Sequence, residues 1–267
     1  MSVFSELLND IHVGDNVEFM RSLPEDCVDL TVTSPPYDDL RTYNGYSFDF
    51  ESVANELFRI TKPGGVVVWI VSDATINGNE TGTSFKQALY FKEIGFNLHD
   101  TMIWEKPTFT ATGSLKVRYA PVFEYMFVLS KGKPKTFNPI KDRPNKYHGT
   151  KKHGTVRQID GSTKDISSKG KEIAEFGQRF NIWRVSPEKQ NKTVHPAVFP
   201  EQLAHDHIVS WSNPGDVVFD CFAGSGTTLK MALLSDRKYL GVDISEEYVA
   251  IANQRVSDAK QTKEESV

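Results

Sequence analysis

The chain has 267 residues, of which 39% are hydrophobic and 25% charged, with a formal net charge of -4. This is an ordinary globular composition, long enough to bury most of its apolar surface without disulfide or metal staples. A net negative charge excludes a protein that coats nucleic acid by bulk basicity. Cys27 and Cys221 lie far apart and match no metal-ligand spacing, so no metal is expected and a reducing compartment is. The opening MSVFSELLND has no basic segment followed by an apolar run, and the longest apolar stretch, 66–71, is too short to cross a bilayer. The expectation is a cytoplasmic chain with no membrane partner.

In chain order, VDLTVT (28–33) reads as the first strand. FESVANELFRIT (50–61) repeats apolar residues at helical spacing and stops at Lys62-Pro63-Gly64-Gly65. A strand follows at 65–71, a helix at 84–95 ending on Gly95, and strands at 98–104 and 123–130. Another helix spans 200–211, closed by Asn213-Pro214-Gly215, before strands at 216–222 and 239–244. SEEYVAIANQRV (245–256) opens on a serine cap with acidic residues in its first turn. Near-continuous β-branched runs alternating with helices predict an α/β fold, a doubly wound, mostly parallel sheet buried on both faces. Residues 131–175 interrupt this pattern: they carry twelve Lys or Arg against five acids, a local charge of +7. Such a stretch is either a solvated loop or an inserted nucleic-acid-binding module. The tail SDAKQTKEESV is polar and expected to fray.

Two segments carry chemistry. Ser34-Pro35-Pro36-Tyr37 follows the strand 28–33. Adjacent prolines make a stiff turn with exposed carbonyls beyond the carboxyl end of a strand, where open α/β sheets place their ligands. An exocyclic amino group is a double donor, and Ser34 Oγ with the Pro35 carbonyl supplies two acceptors; Tyr37 offers a face to a flipped base. The second segment, DVVFDCFAGSGTTLKMAL (216–233), runs from a strand through a glycine-rich turn into a helix. Gly224 and Gly226 permit close backbone approach, and the helix start offers free N–H groups. The turn is neither a dinucleotide fingerprint, since Leu229 stands where the third glycine belongs, nor a P-loop. Asp220 at the strand end suits an amino group, and Asp243, at the end of the next strand, suits a ribose diol, because Ser245 already fits the adjoining helix cap.

Together, TSPPY and DCFAGSGTT resemble the catalytic and cofactor motifs of the DNA amino-methyltransferase family, and their order, catalytic motif first, resembles its permuted β class. The similarity covers most of residues 11–256. It implies a Rossmann-like, seven-stranded methyltransferase sheet, with a catalytic half at 1–130, an inserted target-recognition region at 131–182, a cofactor half at 183–256 and a flexible tail at 257–267. It implies S-adenosyl-L-methionine as cofactor, S-adenosylhomocysteine as product and duplex DNA as partner; the class often forms homodimers. The catalytic residues would be Ser34, Pro35, Pro36 and Tyr37. Cofactor contacts would come from Asp15, Thr33, Asp220, Phe222, Ala223, Gly224, Ser225, Gly226, Thr227, Thr228 and Asp243, with Gly14-Asp15 bordering the adenine. KTVHPAVFPEQLAHDHI (192–208) resembles the motif lining the methionine side, which adds His195, Pro196 and Phe199. RYAPVFEYMFVLSKG (118–132) resembles the motif flanking the target-base pocket.

The reaction so implied is methylation of an exocyclic amino group, aided by acceptance of both its hydrogens. Serine at position 34 is the residue usual in the family's cytosine-N4 enzymes, whereas its adenine-N6 enzymes usually carry Asp or Asn; cytosine-N4 is favoured and adenine-N6 remains the alternative. An RNA or protein-glutamine methyltransferase, or an inactive DNA-binding module, fits less well. Ring-carbon methylation would need a cysteine nucleophile after a proline, and neither cysteine stands there. Asp38, Asp39 and Arg41 belong to a loop expected to order over substrate. In the basic region, Lys141, Lys151 and Lys152 are candidate phosphate contacts, and Arg143, Asn145, Lys146 and Arg157 could reach base edges.

Overall fold

The computed structural model describes residues 3–36, 49–109, 115–187 and 200–265. The elements in order are α1 (Val3–Leu7), β1 (Asp10–Val13), α2 (Asn16–Ser22), β2 (Val28–Thr33), α3 (Phe50–Ile60), β3 (Thr61–Val71), β4 (Thr75–Ile76), β5 (Asn79–Glu80), α4 (Thr83–Glu93), β6 (Asn97–Glu105), β7 (Phe123–Ser130), β8 (Arg143–Pro144), β9 (Thr155–Arg157), β10 (Thr163–Asp165), β11 (Phe176–Gly177), β12 (Ile182–Arg184), α5 (Glu201–Trp211), β13 (Val217–Asp220), α6 (Thr227–Leu234), β14 (Lys238–Asp243) and α7 (Glu246–Glu265). Contacts divide the chain into a large unit, residues 1–138 with 181–267, and a small one, Pro139–Phe180.

The large unit is built on one sheet of order β1-β14-β13-β2-β3-β7-β6-β12. All neighbours are parallel except β7, which runs antiparallel to both β3 and β6. The described sheet holds eight strands rather than the expected seven. The extra one is β12, a three-residue edge strand that pairs Trp183 with Trp104 and was too short to register as a run. From the central pair β13–β2 the chain winds outward in opposite directions, from β13 to β14 on one side and from β2 to β3 on the other. That pair is therefore the topological switch point, outside whose carboxyl ends such sheets bind ligands.

Helices cover both faces. α5, α6 and α7 pack together, with α6 on β13 and β14 and α7 on β1; α2, α3 and α4 form the other layer, with α3 on β3 and α4 on β6 and β7. The reasons are local. α3 is capped by Asp49, whose carboxylate accepts the Ser52 N–H at 3.2 Å, and it buries Val53, Ala54, Leu57 and Ile60 on one stripe. Its breaker Lys62-Pro63-Gly64-Gly65 ends the helix but does not delay the strand, which starts at Thr61. Val66 to Val71 are buried without exception, as a strand covered on both faces requires. Trp69, Phe91, Leu57, Met20 and Phe219 form the core of the α2–α3–α4 side, and Ile11, Leu229, Val249 and Ala252 that of the other. α7 continues through Glu265 with Val256 and Ala259 buried, which corrects the expectation of a flexible tail from 257. No described helix is long and apolar enough to cross a membrane.

The small unit is narrower than the expected insertion at 131–182, because 131–138 and 181–182 belong to the large unit. Lys131 donates to Asp26 at 2.8 Å, and Asn138 N to the Ser210 carbonyl at 2.8 Å.

Leu57 anchors α3 at 0% exposure. Leu57→Ala is expected to lower unfolding free energy by about 2–5 kcal/mol in a denaturant titration, and a loss below about 1 kcal/mol would show that α3 is not part of the cooperative core.

Candidate active site

The two motif segments meet at the switch point. Val13, Asp243, Asp220 and Thr33 end the neighbouring strands β1, β14, β13 and β2, so residues far apart in sequence share one rim. The central link joins Thr33 Oγ1, which donates to Asp220 Oδ1 at 2.6 Å, across 187 residues of chain. A second runs from Thr228 Oγ1 at the start of α6 to the Val32 carbonyl at 3.0 Å. The Ser34-Pro35-Pro36 segment is thereby held at its root against the glycine-rich turn. Ser34 and Pro36 are half-buried and Pro35 is buried.

The turn itself is closed by its own amides. Phe222 N–H donates to Asp220 Oδ1 at 3.1 Å, Ala223 N–H to the Val242 carbonyl at 3.1 Å, and Gly224 N–H to Asp243 Oδ2 at 2.8 Å. Asp243 also accepts the Ser245 N–H at 3.0 Å, so its carboxylate joins the turn to the start of α7, while Ser245 Oγ accepts the Tyr248 N–H at 3.3 Å as the cap. Gly226 has φ +77, and a Cβ on it would lie 2.8 Å from Ala252 Cβ. Glycine is thus required there both by backbone conformation and by α7 packing. Lacking a side chain, Gly226 gives α6 no side-chain cap. That helix start therefore presents first-turn N–H groups suited to an anionic ligand.

Burial of Asp220 (1% exposed) raises its carboxyl to about 6, against which the hydrogen bonds from Thr33 and Phe222 N–H act only partly. Asp220 therefore works from beneath the turn, and the Thr33 hydroxyl is directed to Asp220. Ala223, Ser225, Thr227 and Thr228 are also buried, and Phe222 is half-buried with its ring 6.3 Å from that of Trp69. Asp15 caps α2, accepting Val17 N at 2.9 Å and Glu18 N at 3.0 Å, and Gly14 N–H donates to the Asp243 carbonyl at 3.0 Å, which brings the β1 end to the same rim. Tyr37, Arg41, His195, Pro196 and Phe199 lie outside the described residues, as do Asp38 and Asp39. Lys141, Arg143, Lys146, Lys151, Lys152 and Arg157 all fall in the small unit.

Four supporting residues carry no motif in the sequence. Asn16 is buried and donates from Nδ2 to the Cys221 carbonyl at 3.2 Å; its position just after the Asp15 cap, in an Asp-x-x-Glu capping pattern, was the available signal. Arg255 of α7 donates to the Ser225 carbonyl at 2.7 Å and Oγ at 2.8 Å, and to Glu201 of α5 at 2.8 Å; Glu201 also accepts from Lys230 at 2.6 Å. No local pattern marks this clamp, since its three helices meet only in space. The cysteines fit no nucleophile: both are free and buried, and burial pushes Cys27 up to about 11 and Cys221 well above the ordinary thiol range.

This is a Rossmann-like α/β protein whose two motif segments converge at the switch point of its sheet. A family model described as DNA methylase, of the N6/N4 type, matches residues 28–254. The orphan methyltransferase M.BamHII of Bacillus amyloliquefaciens is 60% identical over 242 residues, which cover 87% of this chain and 90% of that protein. Among solved structures, a Thermus thermophilus protein described as a DNA modification methylase, complexed with S-adenosyl-L-methionine, aligns with TM-score 0.63 at 26% identity, covering 94% of this chain and 93% of that one. The cytosine-N4-specific PvuII DNA methyltransferase shares the fold with TM-score 0.67 at 20% identity, over 95% and 91% of the two chains. The chain belongs to the N6/N4 DNA methylase family.

Because the folded Asp220 carboxyl titrates near 6 rather than near 3.8, the folded state holds this proton more tightly than the unfolded one. Its contribution to stability is full below about pH 4 and is lost as pH rises through about 6. Asp220→Asn should remove about 2 kcal/mol of that decline between pH 4 and 7 in parallel denaturant titrations; an unchanged slope would show that Asp220 is not the titrating group.

Proposed function

We propose that the chain transfers a methyl group from S-adenosyl-L-methionine to the exocyclic amino nitrogen of a base flipped out of duplex DNA, and that the base is cytosine, methylated at N4. The observation that carries this reading is the Thr33–Asp220 hydrogen bond, which fastens the Ser34-Pro35-Pro36 segment to the glycine-rich turn at a sheet switch point. A methyl donor on one motif and an amino acceptor on the other are then neighbours by construction.

The residues present suit the cofactor. The uncapped α6 start offers donors for its carboxylate, Asp243 stands at a strand end beside the Gly14-Asp15 turn for its ribose and adenine, and Phe222 supplies a half-buried aromatic ring at the same rim. Ser225, Gly226, Thr227 and Thr228 shape the turn from within, Arg255 and Asp220 hold it in place, and His195, Pro196 and Phe199 would complete the methionine side. Bound there, the cofactor supplies an electrophilic sulfonium methyl.

The work of the chain is to position and to polarise. An aromatic-conjugated amino nitrogen is a weak nucleophile, because its lone pair is delocalised into the ring. Ser34 Oγ and the Pro35 carbonyl accept its two hydrogens and so concentrate the lone pair toward the methyl group. Tyr37 stacks on the extruded base, an interaction of about 1–3 kcal/mol. A serine hydroxyl both accepts and donates, so it can also meet the ring acceptor beside the amino group; the choice of N4 over adenine N6 is supported by serine at position 34, the residue usual in the family's cytosine-N4 enzymes. The raised thiols of Cys27 and Cys221 are consistent with a reaction that forms no covalent enzyme–base bond.

Nucleosides from duplex DNA incubated with the chain and S-adenosyl-L-methionine should contain N4-methylcytosine by mass spectrometry. N6-methyladenine in its place keeps the enzyme class and overturns the choice of base, whereas no methylated base on duplexes of varied sequence overturns the reading. Tyr37→Ala should retain cofactor affinity in calorimetry and lose most of the methylation rate; an unaltered rate removes Tyr37 from base stacking.

A further inference from the structure

The small unit carries ten Lys or Arg and five Asp or Glu, a net +5, against -9 for the rest of the chain. None of its residues is fully buried and most are exposed, and short antiparallel pairings hold it together: β8 with β11, a Lys151–Glu172 bridge, and β9 with β10. The sequence leaves Arg143, Asn145, Lys146 and Arg157 equivalent as base-reading candidates. Their surroundings separate them.

Arg143 Nε donates to the Gln178 carbonyl at 3.1 Å, and its guanidinium lies 4.4 Å from the Phe180 ring centroid. Asn145 donates from Nδ2 to the Ala174 carbonyl at 2.9 Å. Both side chains lie against Gly177, where a Cβ would come within 2.6 Å of Arg143 Nη2 and 2.9 Å of Asn145 Oδ1. These two residues hold the β8–β11 pairing. Lys146 Nζ rests 5.4 Å from the ring of its neighbour Tyr147.

Arg157 differs. It ends β9, opposite Thr163 and on the same face as Thr155, and its guanidinium has no bonded partner among the described residues. The loop after it is fixed. Gln158 N–H donates to the Ser162 carbonyl at 2.7 Å and Gly161 N–H to the Gln158 carbonyl at 3.0 Å, with Gly161 at φ +85. Asp160 Oδ1 accepts the Ser162 N–H at 2.9 Å and its hydroxyl at 2.7 Å. The Gln158 amide reaches only its own strand, 3.5 Å from the Val156 carbonyl. At the tip, Ile159 is fully exposed (109%).

A braced two-stranded ribbon, with an unpaired guanidinium, an amide and an apolar side chain at its tip, has the dimensions and the chemistry of a major-groove reader. We propose that the hairpin Thr155–Asp165 enters the major groove of the substrate duplex, where Arg157 forks onto a guanine and Ile159 packs on an apolar base edge. Arg143 and Asn145 frame the unit without reading sequence, and the surrounding lysines contact phosphates. This inference rests on the reading of the small unit as the DNA-recognition region.

The test is to methylate a random-sequence duplex pool and map the sequence context of the modified bases, alongside duplex affinity measured at fixed salt. Arg157→Ala should relax the preference for guanine at one position by about 10- to 100-fold, leaving preferences elsewhere and the melting temperature unchanged. Ile159→Ala should weaken preference at an adjoining position. Arg143→Ala should lower thermal stability and relax no single position. An unchanged context with affinity reduced alike on all sequences would make Arg157 a phosphate contact and overturn its base-reading role. An unchanged context with unchanged affinity would remove the hairpin from the interface. If affinity also fails to respond to Lys151→Gln with Lys152→Gln, the reading of the unit as a DNA-binding region falls with it.

Discussion

The hydroxyl of Thr33 and the carboxylate of Asp220 meet at 2.6 Å inside a site from which water is excluded. Both ends belong to strands that pair side by side, and each strand leads directly into one of the two chemical motifs. A charged carboxylate in that position would be strongly disfavoured unless hydrogen-bonded, and the bonds from Thr33 and the Phe222 amide limit the penalty without abolishing it. The geometry of the rim follows from that pairing. If the turn shifted away from β2, Asp220 would lose its partner, so the two motifs keep a fixed separation although Thr33 and Asp220 are 187 positions apart in sequence.

Other contacts brace the same rim from outside. Asp243 ties the turn to the start of α7, Asn16 ties α2 to the chain after β13, and the Arg255–Glu201 pair draws α7 and α5 onto Ser225. Reactions that depend on positioning rather than on covalent chemistry place their demands on this kind of support, because misplacement of a group by an ångström has large rate consequences. The buried thiols serve the same support: they fill space beside the motifs and stay protonated.

Charge is segregated along the chain. The catalytic unit is acidic, and the basic residues gather in a small unit that has almost no apolar interior. A module of this kind is ordered by backbone pairing, by local carboxylate turns such as Asp160–Ser162 and by cation–ring contacts such as Arg143–Phe180. Arg143 is engaged within the unit by its bond to the Gln178 carbonyl and its contact with Phe180, which is the basis for the proposed division of labour with Arg157.

Much of this was legible in the sequence. The strands at 28–33, 65–71 and 123–130, the helix at 50–61 and the two motif turns announce themselves, because hydrophobic periodicity and Pro/Gly punctuation are local properties of the chain. The motif pair and its order were enough to identify the family. Tertiary structure decided what depends on distance: that β13 lies beside β2, that the short β12 adds an eighth strand, that α7 stays helical to Glu265 because its far end buries Ala259, and that Asp220 and Thr33 face each other rather than the solvent. It also separated Arg143 from Arg157, two residues of one type in one basic stretch. The chain's linear order carries patterns of a few residues, whereas strand neighbours, burial and the partner of a given side chain are set only when distant segments pack.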